Sequence, residues 1–182
     1  THFYALNLAD GSLVWKWNNG NGNPKLSPAS VWPVAANGKV FFAAPDRYFT
    51  CLDAETGEQI WRTKEYKVRQ TVGLSEDGKT VYSKCMWDTV VAMDATTHEP
   101  VTRWAAHADF GYEHNPAMPL EKEGTLWVST KNGLLLGMDA KTGKVLWRHK
   151  IGNSILNTPL PLSGKECIFT SSEGTITRIR VR

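Results

Sequence analysis

The densest run of side chains able to hold a metal or move a proton is His107–Pro116, HADFGYEHNP, which offers His107, Asp109, Glu113 and His114. Imidazole and carboxylate suit zinc or iron, but an ion needs its ligands at tight spacing, and neither HExxH nor a comparable interval is present, so no metal site is assigned. NNGNGNP, Asn18–Pro24, is rich in amide oxygens but has no carboxylate, too little charge for calcium, and reads as a flexible connecting loop. Asp53, Asp94 and Asp139 resemble a set of cooperating carboxylates, yet each stands in its own copy of one recurring turn. Cys51, Cys85 and Cys167 are far apart, lack a CxxC spacing, and read as small apolar side chains packed in strands. No GxSxG, Walker A or GxGxxG motif occurs, and no residue is assigned as catalytic.

The elements that position these residues follow from an internal repeat. ALNLADGSLVW, CLDAETGEQIW, AMDATTHEPVTRW and GMDAKTGKVLW align on Asn7, Asp53, Asp94 and Asp139, at intervals of about 45 residues. Four positions later come Gly11, Gly57, His98 and Gly143, and eight positions later Trp15, Trp61, Thr102 and Trp147. In the third copy Trp104 follows two residues on, a step that returns to the same strand face. The apolar run before each acid reads as a buried strand. Asp followed by a polar triplet and glycine is turn chemistry, because the carboxylate accepts local N–H groups and glycine takes positive φ without a Cβ clash. His98 is expected to take that backbone region in the third copy, and the following Trp starts the return strand. A second pair of strands lies between these hairpins, with turns at Asn37-Gly38, Asp77-Gly78, Glu123-Gly124 and Ser163-Gly164. Four short strands per unit without helical periodicity indicate an all-β propeller.

LDAETGEQIW and MDAKTGKVLW resemble the blade motif of the PQQ-like β-propeller repeat family. That family includes quinoprotein dehydrogenases, a scaffold lipoprotein of the outer-membrane β-barrel assembly machinery, and sensor-like domains attached to kinases or phosphoesterases. The resemblance implies four-stranded antiparallel blades in which Asp53, Gly57, Asp139 and Gly143 form turns, and Trp15, Trp61, Trp104 and Trp147 pack between blades. It also implies a periplasmic or extracellular location. On this pattern residues 1–182 form a single partial propeller, the C-terminal part of a ring of about seven or eight blades: 1–25 the end of one blade, then 26–66, 67–106 and 107–150, and 151–182 an incomplete last blade. The remaining blades of a longer chain are then expected partners.

Function in propellers collects where loops converge on one face. Superposing the segments before each first strand aligns Ala29, Arg69, Asn115 and Asn157, with His114 beside Asn115. The turns after the second strands add Asp46, Arg47, Trp87, Asp88, Lys131, Asn132 and Glu173. Arg69, His114, Asn115, Asn157, Trp87 and Asp88 are the candidate ligand-binding residues, and the expected ligand is a protein segment or a small molecule. The leading reading is a non-catalytic binding scaffold, or an accessory domain of a phosphoesterase or kinase, with no cofactor. The alternative is a fragment of a dehydrogenase using PQQ and calcium, but the vicinal cysteines common among the alcohol dehydrogenases of the family are missing. With 21 basic and 18 acidic residues, net charge +3 and mean hydropathy −0.35, the charge is too small and dispersed to indicate nucleic acid, and no apolar stretch is long enough to span a membrane.

Overall fold

A computed structural model describes residues 2–26 and 31–182 of the chain. The position predicted at Ala29 therefore lies outside the described residues. Strands β1 (His2–Leu6) and β2 (Leu13–Asn18) form a two-stranded sheet, followed by a 3-10 turn at Pro24–Leu26. The first four-stranded sheet comprises β3 (Val34–Ala36), β4 (Lys39–Ala43), β5 (Phe49–Asp53) and β6 (Gln59–Thr63). The second comprises β7 (Val68–Leu74), β8 (Thr80–Cys85), β9 (Trp87–Asp94) and β10 (Thr102–Tyr112). The third comprises β11 (Leu120–Lys122), β12 (Thr125–Ser129), β13 (Leu134–Asp139) and β14 (Val145–Lys150). A three-stranded sheet closes the series: β15 (Leu160–Ser163), β16 (Glu166–Thr170) and β17 (Ile176–Arg180). Each sheet is antiparallel in sequence order, and no α-helix occurs among the described residues. The sheets are propeller blades, and the first strands β3, β7, β11 and β15 neighbour one another along the inner edge.

The middle strands look apolar throughout because each blade is covered on both faces. Adjacent residues point to opposite sides of a strand, so Phe41 and Phe42, or Leu126 and Trp127, enter different apolar clusters. Phe41, Phe49, Cys51 and Trp61 meet Val72, Val81, Val91 and Met93 of the next blade, whereas Phe42 and Leu52 meet Phe3, Trp15 and Trp17 of the preceding sheet. Each fully buried side chain of this kind contributes about 1.5–3 kcal/mol relative to an exposed one.

The recurring aspartates act as turn caps. One Asp53 oxygen accepts the N–H groups of Glu55 and Thr56 at 2.9 and 2.8 Å and the Thr56 hydroxyl at 3.1 Å. Asp139 repeats this with Lys141 and Thr142 at 3.1, 2.8 and 2.7 Å. Turns close by N–H donation from Asn7, Asp53 and Asp139 to the carbonyls of Ser12, Glu58 and Lys144, five residues on. In the third copy Asp94 instead reaches Val101, so that turn is two residues longer. The expectation for His98 is corrected accordingly: it is not among the residues with positive φ, because the longer turn does not need that conformation.

The longer turn also explains the displaced indole. Trp15, Trp61, Trp104 and Trp147 stand opposite Ala5, Cys51, Ala92 and Gly137, and the residue before each Trp is bulged out of register. Trp104 therefore occupies the tryptophan position, and Thr102 precedes the bulge. Trp15 and Trp104 donate their indole N–H at 3.0 Å to the carbonyls of Ala54 and Ala140, in the Asp-Ala-x-Thr-Gly turns of the following blades. Their rings lie on Gly57 and Gly143, both at φ +74, where an added Cβ would come within 2.5 Å of the indole. Trp61 lacks such a seat: its indole N–H is buried without a hydrogen-bond partner, and the turn of the next blade carries His98 in place of glycine. Its ring packs on Phe41 and Phe49 of its own blade at 6.0 and 5.7 Å, while remaining within the cluster shared with the next blade. Trp147 packs on Trp127 at 4.9 Å and over Gly137.

Two predictions test this account. Gly143→Ala combines backbone strain with collision against Trp104, whereas Gly124→Ala has the same φ of +74 and open space. Urea denaturation should show a loss of about 1 kcal/mol for Gly124→Ala and about 1–3 kcal/mol more for Gly143→Ala; equal losses would remove the indole seat. Hydrogen bonds from Thr56 and Thr142, respectively, hold the carboxyls of Asp53 and Asp139 below the usual carboxylate range. Lowered folded values contribute stability that is full above the unfolded value of about 3.9 and lost as pH falls through the folded values. A double Asp53→Asn, Asp139→Asn variant should therefore show a shallower loss of denaturation midpoint on acidification than the parent protein.

Candidate functional site

Antiparallel order sorts the turns into two faces. Turns between first and second strands, and the Asp-x-x-x-Gly turns, share one face; the turns after β4, β8, β12 and β16 and the crossovers between blades share the other. On this second face a cluster gathers around Tyr112.

Its origin is local. β10 continues to Tyr112 through the segment read from sequence as a loop, with a register shift between His107 and Tyr112 and positive φ at Asp109 (+49) and Gly111 (+76). Asp88, itself at φ +46, accepts the N–H of Gly111, and the N–H of Glu113 reaches the Met86 carbonyl at 2.9 Å. Tyr112 is thereby brought opposite Trp87, ring centroids 5.0 Å apart. The Arg69 guanidinium donates to the Tyr112 hydroxyl at 2.7 Å, the Lys131 ammonium stands 4.6 Å over its ring, and the His114 ring is 5.5 Å away. Trp87 is 58% exposed, so the cluster presents an indole to solvent.

One carboxylate here faces inward. Glu113 is buried and accepts the N–H groups of Asn115 and, at 3.0 Å, Lys131. Lys84 is buried behind it, donating to the Ser129 carbonyl at 2.8 Å; burial pushes its ammonium down to about 8, against the attraction of Glu113. Burial, then Lys131 and Arg69, lower His114 below the ordinary histidine value. Among the described residues neither Arg69 nor Lys131 pairs with a carboxylate.

Four of the six candidates, Arg69, His114, Trp87 and Asp88, are thus brought together. Asn115 is buried and donates to the Leu156 carbonyl at 2.6 Å, joining two blades. Asn157 donates to the Thr170 hydroxyl at 2.7 Å and lines a separate cleft of about 640 Å³ with Trp32, Pro116, Met118 and Ile155. Tyr112, the centre of the cluster, was missed. Its signal was the alternation Trp104, Ala106, Ala108, Phe110, which carries the strand onward.

The other candidate sets do not assemble. His107 pairs with Asp109 at 3.0 Å, Arg148 holds the same aspartate at 2.9 Å, and no metal-holding group of three His, Cys, Asp or Glu side chains occurs among the described residues. The asparagine-rich segment is a succession of local turns, each side-chain oxygen of Asn18, Asn19, Asn21 and Asn23 accepting an N–H two residues on. Asp46 is neutralised by Arg62 and accepts Asn19 at 2.7 Å. Calcium and a quinone would need converging carboxylate and amide oxygens; Asp46, Asp88 and Glu113 are each committed to Arg62 or backbone N–H, so these residues do not fit that group. Cys51, Cys85 and Cys167 are buried free thiols, pushed up to about 12 by burial.

Antiparallel blades packed face to face, with polar and aromatic residues gathered on the crossover face, define a β-propeller repeat protein. The family model described as outer membrane protein assembly factor BamB matches residues 1–99 and again 87–182. The chain belongs to this family of PQQ-like propeller repeats. It is 25% identical over 178 residues to outer membrane protein assembly factor BamB of Escherichia coli, covering 94% of this chain and 43% of that protein. It is 30% identical over 149 residues to polyvinylalcohol dehydrogenase of Sphingopyxis, covering 80% of this chain and 19% of that protein. The crystal structure of BamB from Moraxella catarrhalis superposes with a TM-score of 0.66 at 17% identity, over 83% of this chain and 44% of that one. The chain therefore spans less than half the length of these relatives.

Scaffold and site should separate in a denaturation experiment. Trp61, 6% exposed, should lose about 3–5 kcal/mol on truncation to alanine. Arg69→Ala and His114→Ala should cost less than about 1 kcal/mol. The reverse order, read by circular dichroism in urea, would mean that the cluster is the scaffold.

Proposed function

We propose that this chain is a non-catalytic propeller module that binds a protein segment on its crossover face, in the periplasmic space of the cell envelope. The carrying observation is the cluster of half-buried Arg69, Lys131 and Tyr112 beside the exposed Trp87, with the Glu113 carboxylate turned inward. Such surfaces suit binding: indole, tyrosine and arginine give large contact area with directed hydrogen bonds. The family's printed description as an assembly factor of outer membrane proteins supports a protein as the ligand. No helix of the described residues is long and apolar enough to cross a membrane. We further propose that the sheets form one arc of a larger propeller, with blade limits as read from the repeat, so that the remaining blades pack against the terminal sheets.

Selection of a displayed random peptide library on the protein tests the reading. It should enrich linear sequences whose capture is lost with Trp87→Ala and retained with Lys16→Gln on the exposed β2. Enrichment indifferent to Trp87, or no enrichment, would overturn it. Quinone-dependent oxidation of an alcohol after addition of PQQ and calcium to the purified protein would favour the dehydrogenase reading, to which the Sphingopyxis relative points.

A further inference from the structure

The charge balance around Tyr112 says more about the ligand. Arg69 and Lys131 converge on the two sides of one phenol, Arg69 through its hydroxyl and Lys131 over its face. This fixes both long side chains, so less rotamer freedom is lost when a ligand arrives. Neither cation has a carboxylate partner among the described residues, and the nearby acids are spent: Glu113 on the N–H groups of Lys131 and Asn115, Asp88 on that of Gly111. An acidic group on a ligand would balance this surface.

The Glu113 and Asp88 carboxylates take the N–H groups of Asn115, Lys131 and Gly111. The remaining donors, the rest of the Arg69 guanidinium and the Lys131 ammonium, can pair with the two oxygens of a carboxylate. From His114 the chain runs through Asn115 to Pro116 and Met118, which line the cleft of about 640 Å³ completed by Trp32 and Ile155. Trp32 and Ile155 are 61% and 41% exposed, and the chain enters this mainly apolar trough at Asn115, one residue after His114. Charge and trough together fit a chain that carries an acid next to apolar residues.

We propose that Arg69 and Lys131 receive an aspartate or glutamate side chain of an extended protein segment, whose apolar neighbours lie against Trp87 and in the trough between Trp32 and Ile155. This rests on the binding-module reading and narrows it to acidic, apolar-flanked segments.

Calorimetric titration with a blocked peptide carrying glutamate between leucine and phenylalanine, its glutamine counterpart, and acetate provides the test. The glutamate peptide should bind at least about tenfold more tightly than the glutamine peptide, as expected for a charge-assisted hydrogen bond. Arg69→Gln and Lys131→Gln should each remove most of that difference while leaving the glutamine peptide unchanged, and Trp32→Ala should weaken both peptides alike. Circular dichroism of each variant checks folding, and either cation variant alone suffices for the test. Acetate binding as tightly as the peptide would replace the protein segment by a free small carboxylate and overturn the proposal. Equal binding of the two peptides, or binding of neither, would also overturn it. In those cases loop-face-dependent sequences from the random library would leave the binding-module reading standing, and their absence would remove it as well.

Discussion

The structure depends on each blade having two faces to bury. A four-stranded sheet exposed on one side would leave half of its apolar side chains in water, and here that half is covered by the next blade. Residues adjacent in sequence, such as Phe41 and Phe42, are consequently committed to different interfaces. No blade has a core of its own, so stability belongs to the stack, as in other repeat proteins. The indole seats refine this rule: Trp15 and Trp104 bridge to the following turn through a hydrogen bond and a glycine without a Cβ, linking turn chemistry on one blade to packing of another.

The same turns commit the recurring aspartates of the opposite face to the backbone. Their aspartates are saturated by local N–H and hydroxyl groups, which leaves little capacity for acid and base work and explains why carboxylates that recur in sequence are structural. Variation accumulates instead on the crossover face, where the blade register does not constrain the chain. The bulged end of β10 is the clearest case, since Asp88, Gly111 and Glu113 redirect the strand and present Tyr112 beside Trp87. A departure from the repeat thus builds the only cluster among the described residues in which an exposed indole, a phenol and two cations without carboxylate partners meet.

Membership of the BamB-like family fits these observations without deciding the ligand, because propeller repeats carry unrelated functions on a shared scaffold. The relatives include both an assembly factor and a dehydrogenase. The two proposed readings ask for different donor sets: calcium needs converging free oxygens, whereas an acidic segment needs cations without a carboxylate partner, as Arg69 and Lys131 are among the described residues.

Much of the fold was legible in the sequence. Alternation, turn residues and the recurring Asp-x-x-x-Gly fix strands and hairpins, because these depend on contacts close in the chain. The candidate residues Arg69, Trp87, Asp88 and His114 could be named from their places in the repeat. The sequence did not show that the third turn gains two residues and returns Trp104 to register, since bulge and hydrogen-bond closure are decided by pairing with β9. Nor did it show that Trp15 and Trp104 sit on glycines while Trp61 turns to Phe41 and Phe49, which depends on the turn offered by the next blade. Tyr112 became visible only when β10 was seen to continue past its expected end. Local pattern determines elements; which side chains meet across blades is decided by tertiary packing, where residues about 40 positions apart, Arg69 and Tyr112 among them, come within hydrogen-bonding distance.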